Sequence, residues 1–367
     1  MTTIGITGSN GLIAWHLRSF LSTNQALEIV CADRETFAQS DLLEAFVKRC
    51  DVIVHLAGAN RGDEAEVTAT NVGLADALVA ACEAMQVAPY VIYSNSTHIY
   101  RGTPYGHSKR AAAETLRAWA SRSGAKLTNL ILPNVFGEHG RPFYNSVVAT
   151  FCHQLVNGQT PEIKVDATFD YVHCHEVSSA IGALIAEPVD DEQLLPGRPI
   201  SVTQLLALLT KFQKRYRDEG VIPALADKFE LALFNTYRSY LFPQHYPTKL
   251  LLRTDPRGSL FEAVKTDREG QAFLSTTHPD ITRGNHFHFF KIERFLVLSG
   301  EATIRLRRLL TDEITEFRVS GDSPCYVDMP TLHTHNITNT GSGELLTMFW
   351  SGDIFDPANP DTFAEPV

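Results

Sequence analysis

The stretch TTIGITGSNGLIAWHL, Thr2–Leu17, decides the fold of the first half of this chain. An apolar run ends at Thr7, the turn Gly8-Ser9-Asn10-Gly11 follows, and helix-forming residues begin at Leu12. A glycine-rich turn between a strand and a helix is the context in which such a motif signals a dinucleotide. Gly8 permits the tight turn, Gly11 lets the backbone approach a pyrophosphate, and the helix N-terminus offers oriented N–H donors. Ala14 stands where a third glycine often sits.

Outward from this motif, the Val- and Ile-rich runs LEIVCAD, DVIVHLAG, YVIYSNS and LTNLILPNVFG alternate with amphipathic helical stretches up to about residue 185. That alternation predicts an α/β fold, a Rossmann-type doubly wound parallel sheet with helices on both faces. The second run ends at Asp33-Arg34, roughly twenty residues after the glycines. A carboxylate there binds a ribose 2′-hydroxyl and an Arg accommodates a 2′-phosphate, so both nicotinamide dinucleotides stay open, with Arg34 favouring NADPH.

Between about residues 187 and 245 the composition turns acidic, then helical, and ends at the Pro-punctuated FPQHYPTK. This places the boundary near Tyr246, giving a dinucleotide-binding domain over 1–245 and a second domain over 246–367. The second is written in short strands separated by Gly, Asp, Ser and Asn, the texture of a small all-β barrel or jelly roll.

A length of 367 residues suits two domains, and 44% hydrophobic with 20% charged residues excludes disorder. The formal charge of -10 is scattered without a basic patch, which excludes a nucleic-acid partner and leaves a small substrate. The N-terminal residues lack the basic region of a signal peptide, and no run is long enough to insert in a membrane. Six cysteines lie far apart with no CxxC pair, as expected of buried thiols in the cytoplasm.

Two constellations carry chemistry. In Tyr105-Gly-His-Ser-Lys109 the spacing puts phenol and ammonium on one helix face, so that the lysine tunes the phenol as a general acid. Ser96, upstream, would hydrogen-bond a carbonyl oxygen under reduction. In His286-Phe-His288-Phe-Phe-Lys-Ile-Glu293 two imidazoles share one strand face with a carboxylate just beyond, and His335 adds a third imidazole. Three His and one Glu suit Zn²⁺, Mn²⁺, Fe²⁺ or Ni²⁺ with positions left for substrate.

With these residues in place, the first 185 or so positions resemble extended short-chain dehydrogenases/reductases, which act largely on nucleotide sugars. The resemblance implies Ser96, Tyr105 and Lys109 as the catalytic set. It aligns Gly8, Asn10, Gly11, Leu12, Ile13, Asp33, Arg34, Leu56, Ala57, Gly58 and Pro133 with the cofactor, and Arg61, Asn134 and Asn145 with the substrate. Thr97-His98 replaces the Asp-Glu pair of the family's dehydratases, which disfavours elimination. The pattern HxHx4Ex6G followed by PxxxxHxxxN resembles the two cupin motifs, with Leu332 where the second usually has Gly. That resemblance implies His286, His288, Glu293 and His335 as metal ligands, with zinc the expected ion.

Over its whole length, through PNVFGEHGRPFYNSVVATFC, RGSLFEAVKT, ITRGNHFHFFKIERFLVLSG, VSGD and WSGDIFDPANPDTF, the chain resembles the CapF-type bifunctional enzymes of capsule and O-antigen synthesis. The resemblance implies C3 epimerisation of a UDP-linked 2-acetamido-4-keto-6-deoxy sugar by the cupin domain. NADPH reduction at C4 would then give UDP-N-acetyl-6-deoxytalosamine on the route to UDP-N-acetyl-L-fucosamine. It also implies a homodimer. Asp328, Tyr326, Lys291, His333 and Glu262 are candidates for the cupin's base. Two other readings are a nucleotide-sugar 4-epimerase with a structural cupin and a non-catalytic dinucleotide or sugar sensor.

Overall fold

A computed structural model describes residues 1–367. The first unit alternates β1 (Thr2–Thr7), α1 (Leu12–Leu21), β2 (Leu27–Ala32), α2 (Arg34–Ala38), α3 (Ser40–Arg49), β3 (Val52–His55), α4 (Glu64–Met85), β4 (Tyr90–Ser96), α5 (Pro104–Ser123) and β5 (Leu127–Leu132). It continues through β6 (Asn134–Phe136), α6 (Val147–Val156, from Phe151 on belonging to the second unit), β7 (Thr168–His173), α7 (Cys174–Ala186), β8 (Glu192–Leu194) and β9 (Arg198–Ser201). The main sheet is parallel throughout, in the order β2-β1-β3-β4-β5-β8.

Strand periodicity explains why helices cover both faces. Ile53, Val91, Tyr93 and Leu127 point into a core with Val47, Leu78 and Leu116 of α3, α4 and α5. Their strand neighbours Ile4, Val52, Val54, Ile92 and Leu130 point into a second core with Leu17 of α1 and Val177 and Ile181 of α7.

The remaining elements are α8 (Val202–Phe212), β10 (Val221–Ile222), α9 (Lys228–Leu241), β11 (Thr248–Lys249), β12 (Arg253–Asp255), β13 (Gly258–Leu260), β14 (Lys265–Thr266), β15 (Gln271–Thr277) and β16 (Thr282–Phe287). Then follow β17 (Glu293–Ser299), β18 (Glu301–Arg308), β19 (Ile314–Ser320), β20 (Cys325–Met329), β21 (His333–Asn339), β22 (Leu345–Ser351) and β23 (Phe363–Ala364). Two five-stranded sheets, β11-β20-β17-β22-β15 and β19-β18-β21-β16-β23, form an antiparallel all-β domain around Phe295, Val297, Ile304, Leu306, Phe317 and Ile337.

The compact units divide differently from the composition. Residues 1–150 and 163–203 form one, and 151–162 with 204–367 form the other, so Tyr246 lies well inside the second. Buried polar groups explain this. Asn235 and Arg238 of α9 donate to the carbonyls of Phe290 (2.8 Å) and Met329 (2.7 Å) in the all-β region. Tyr216, in the turn of π-helix after α8, donates to Asp328 at 2.5 Å, and Asp328 also takes a bidentate pair from Arg294 at 2.7 and 2.9 Å. Such groups are expensive to bury unless every partner is present, so the two helices stay with the barrel. No helix is long and apolar enough to cross a membrane.

Candidate functional site

The turn after β1 is built as its glycines require. Gly8 has φ +65°, and a Cβ on it would sit 2.8 Å from the Ala57 backbone. The Ala57 segment is held there by Thr7, whose Oγ accepts the N–H groups of Leu56 and Ala57 at 3.1 Å each. The same hydroxyl donates to His55 Nδ1 at 2.8 Å, which leaves the proton of that buried ring on Nε2. Burial, assisted by the Lys109 charge, pushes His55 down to about 3, so the ring is neutral. Gly11 occupies the N-cap of α1 without a capping side chain, and the first N–H groups of the helix stay open toward the turn that carries Asn10. Leu12 and Ile13 are half-buried on its first turn.

Gly8→Ala is expected to weaken dinucleotide binding more than tenfold and to destabilise the fold by roughly 1–3 kcal/mol, the range for a forced left-handed residue. Fluorescence titration and thermal melting check this. Wild-type affinity would show that the close approach is dispensable.

Asp33 has a structural duty. Its Oδ1 accepts from the N–H groups of Glu35 (3.0 Å) and Thr36 (3.1 Å), capping α2, and these bonds hold its carboxyl below the usual range. Arg34 is the exposed first residue of that helix.

Where β4 ends and the chain runs toward the start of α5, Ser96 Oγ accepts the His98 N–H at 3.3 Å. Thr103 caps α5 through the Gly106 N–H at 3.1 Å, with Pro104 in the first turn. Gly106 is indispensable to that start, since a Cβ there would meet the His98 carbonyl at 2.2 Å. Tyr105 is half-buried against the edge of the His98 ring, and burial pushes its phenol up. Lys109 is buried one turn later, with Nζ donating to Ser94 O at 2.6 Å and lying 4.1 Å from the centre of the Tyr93 ring. Burial lowers its ammonium to about 7.

Asn71 escaped the sequence reading, because nothing in the pattern of α4 distinguishes it. It accepts from Ala59 N at 2.7 Å and donates to Ala59 O and to Ser108 Oγ at 2.9 and 3.0 Å. Ser108 in turn donates to the Tyr105 carbonyl at 2.8 Å, so the loop after Gly58 and the start of α5 are tied together.

Among the expected substrate residues, Asn134 donates to Asp170 O at 3.1 Å just after Pro133. Arg61 is exposed and donates to the carbonyls of Phe143 and Tyr144 at 2.5 Å each, beside the exposed Asn145.

In the all-β unit, His286, His288, Glu293 and His335 offer ligand atoms that all lie within 4.8 Å of one another. His286 sits on β16 after a bulge, opposite His335 on β21, whereas His288 lies just beyond the strand end and Glu293 opens β17. His335 Nδ1 donates to His333 O at 3.1 Å and His288 Nδ1 donates to Asp361 O, so in each neutral ring the Nε2 lone pair faces inward. Those lone pairs lie 2.9 Å (His288) and 3.5 Å (His335) from Glu293 Oε2.

His335 Nε2 is buried without a hydrogen-bond partner, and burial pushes its ring down to about 4. Burial alone would raise the Glu293 carboxyl, but the three imidazoles around it hold it well below the usual range. Inward lone pairs facing an ionised carboxylate repel unless a cation lies between them, so the donor set fits a divalent metal.

Leu332 stands where the motif usually has Gly, and it adopts φ +59° while buried, its N–H bonded to His288 O at 2.9 Å. The left-handed backbone is retained without glycine. Asp328 is occupied by Arg294 and Tyr216, Lys291 donates to Thr362 Oγ at 3.0 Å, and His333 Nδ1 bonds Thr331 O at 3.0 Å. Tyr326 lies under the Arg294 guanidinium at 3.5 Å, and Glu262 is exposed.

Residues 4–195 match the NAD dependent epimerase/dehydratase family, and residues 253–363 match the polysaccharide biosynthesis C-terminal domain. A UDP-2-acetamido-2,6-beta-L-arabino-hexul-4-ose reductase of Pseudomonas aeruginosa is 33% identical over 98% of this chain and 97% of its own. The capsular polysaccharide assembling protein CapF of Staphylococcus aureus superposes with a TM-score of 0.65 at 33% identity, covering 99% of this chain and all of its own. RMD of Pseudomonas aeruginosa, solved with NADPH, shares the fold over 58% of the chain at 19% identity and a TM-score of 0.54. The chain belongs to the NAD dependent epimerase/dehydratase family and, within it, to the CapF-type proteins in which that domain is joined to a polysaccharide biosynthesis C-terminal domain.

Proposed function

We propose that this chain is a bifunctional nucleotide-sugar enzyme acting on a UDP-linked 2-acetamido-4-keto-6-deoxyhexose. Its all-β unit inverts C3 and its α/β unit reduces C4 with NADPH, giving UDP-N-acetyl-6-deoxytalosamine. The observation that carries this reading is the end-to-end match, at 33% identity, to a reductase whose name specifies a UDP-linked 4-ulose.

Bound in this cleft, NADPH would supply the hydride for C4. Ser96 Oγ holds the carbonyl oxygen and Tyr105 gives that oxygen its proton, so a ketone becomes an alcohol. Lys109, anchored on Ser94 O, supplies positive charge behind the phenol. Gly8 to Ile13 and Leu56 to Gly58 receive the dinucleotide, with Asp33, Arg34 and Pro133 beside it. Arg61, Asn134 and Asn145 face the sugar nucleotide.

His286, His288, Glu293 and His335 would hold a divalent cation, zinc in this reading, which would polarise a substrate oxygen. A carbon next to a ketone is acidic, and its proton leaves one face and returns to the other. Asp328, Lys291 and His333 are each engaged elsewhere, which argues against them as the base. The chain works in the cytoplasm as a homodimer.

Both Tyr105 and Lys109 act in their protonated forms. Burial keeps the Tyr105 proton on well into alkaline solution, whereas Lys109 loses its own near pH 7. In the free enzyme kcat/KM for reduction is therefore expected to fall as pH rises through about 7. A profile flat well into the alkaline range would remove Lys109 from this role.

The reading as a whole is tested by following NADPH absorbance with the UDP-linked ketone and identifying the products by NMR. Stoichiometric NADPH loss with a C3-inverted alcohol supports it. Appearance of a C4 epimer without NADPH loss would replace it with a 4-epimerase.

A further inference from the structure

We infer that Asp361, outside both histidine-bearing motifs, is a positioning residue for the metal ligands, and that the segment around it completes the metal site. The inference rests on the metal-binding reading proposed above. Asp361 has φ +40°, and its carboxylate gathers three successive backbone N–H groups: Phe289 at 3.0 Å, Phe290 at 2.8 Å and Lys291 at 2.8 Å. These are three of the four residues that connect His288 to Glu293. The carbonyl of the same residue accepts the Nδ1 proton of His288, which fixes the tautomer that turns Nε2 inward.

One residue thus sets both the ring orientation of one ligand and the path of the chain to the next. A carboxylate suits this duty, because two oxygens accept three N–H bonds and the charge strengthens each. A non-glycine residue held at positive φ is strained, and strain persists where surrounding bonds overdetermine it.

The rest of the segment is docked to match. β23 pairs with β16 with Ala364 opposite His286, and Phe363 packs on the rings of Phe287 and Phe289 at 5.3 and 5.0 Å. Thr334, the neighbour of His335, donates to the Glu365 carbonyl. All four ligands therefore lie beside backbone that this segment holds. Substrate-independent ligand geometry follows, since none of these bonds involves a group left for the sugar.

The test is Co²⁺ binding to the full-length protein, read by competition with a chelating dye and by the ligand-field absorption of the bound ion. Asp361→Asn keeps a residue that tolerates positive φ but offers one acceptor oxygen in place of two, and Asp361→Ala removes both. Loss of an outer-shell partner weakens metal binding by about 10–100-fold, and Asp361→Ala is expected within that range, with Asp361→Asn between it and wild type. Amide hydrogen exchange at Phe289, Phe290 and Lys291 should quicken in the same order. Phe355→Ala, an exposed change in the preceding loop, should leave affinity unaltered.

If Asp361→Ala does not fold, Asp361→Asn carries the test. Wild-type Co²⁺ affinity and spectrum in the folded variants, even with a lowered melting temperature, would reduce Asp361 to a structural role and overturn the inference. Failure of the wild-type protein to bind Co²⁺ would instead overturn the metal reading itself and, with it, this inference.

Discussion

Tyr105→Phe should lower NADPH consumption with the UDP-linked 4-keto sugar by about 10²–10⁴-fold, the usual contribution of a positioned general acid. In the proposed reduction the phenol is the proton source for the nascent alkoxide, and Phe keeps the ring while deleting only the hydroxyl. The surroundings predict a clean result. Thr103, Pro104 and Gly106 set the start of α5 independently of the phenol, and Ser108 holds the Tyr105 backbone through its carbonyl. The melting temperature and the NADPH affinity should therefore stay near wild type while kcat falls. A variant retaining more than a tenth of wild-type turnover would show that the proton comes from elsewhere.

His288→Ala should abolish metal retention and C3 inversion together, beyond the 10–100-fold loss typical of an outer-shell change. It deletes the ligand closest to Glu293, 2.9 Å from Oε2, and leaves the Asp361 carbonyl without its donor. Metal content by mass spectrometry and deuterium entry at C3 in heavy water measure the two losses. Because the reductase residues lie in the other compact unit, NADPH oxidation of a ketone already inverted at C3 should persist in this variant. The Tyr105→Phe protein should show the converse, exchanging the C3 hydrogen without consuming NADPH. If His288→Ala still exchanges C3, the inversion does not depend on this cluster and the division of labour fails.

Much of this architecture is local in origin, which is why it could be read from residues. The turn between β1 and α1 demands positive φ at Gly8, and such a demand appears directly as glycine. Core-facing positions alternate along β1, β3, β4 and β5, so each strand shows its burial as apolar residues. The spacing of His286, His288 and Glu293 is set by one turn, and His335 follows a recognisable Pro330.

Other features depend on geometry that the spacing of residues does not carry. Asp33 ends the strand expected of a ribose ligand, yet the fold uses its carboxylate to cap α2, a choice that depends on how Thr36 is oriented. The composition break near Tyr246 is real, but Asn235 and Arg238 bond to Phe290 and Met329, which draws α9 across it. Leu332 breaks the glycine rule of its motif because surrounding bonds hold its strained backbone in place.

The sequence by itself determined the strand and helix order, the glycine turn, the Tyr105–Lys109 pair and the identity of the four candidate ligands, because each is set by neighbours within a few residues. Tertiary structure alone decided which lone pairs face Glu293, how Asn71 ties the Ala59 loop to α5, and that Asp361 holds the turn between two ligands. A hydrogen bond across 70 residues leaves no period or spacing in the chain, since its geometry exists only once both segments have been brought together.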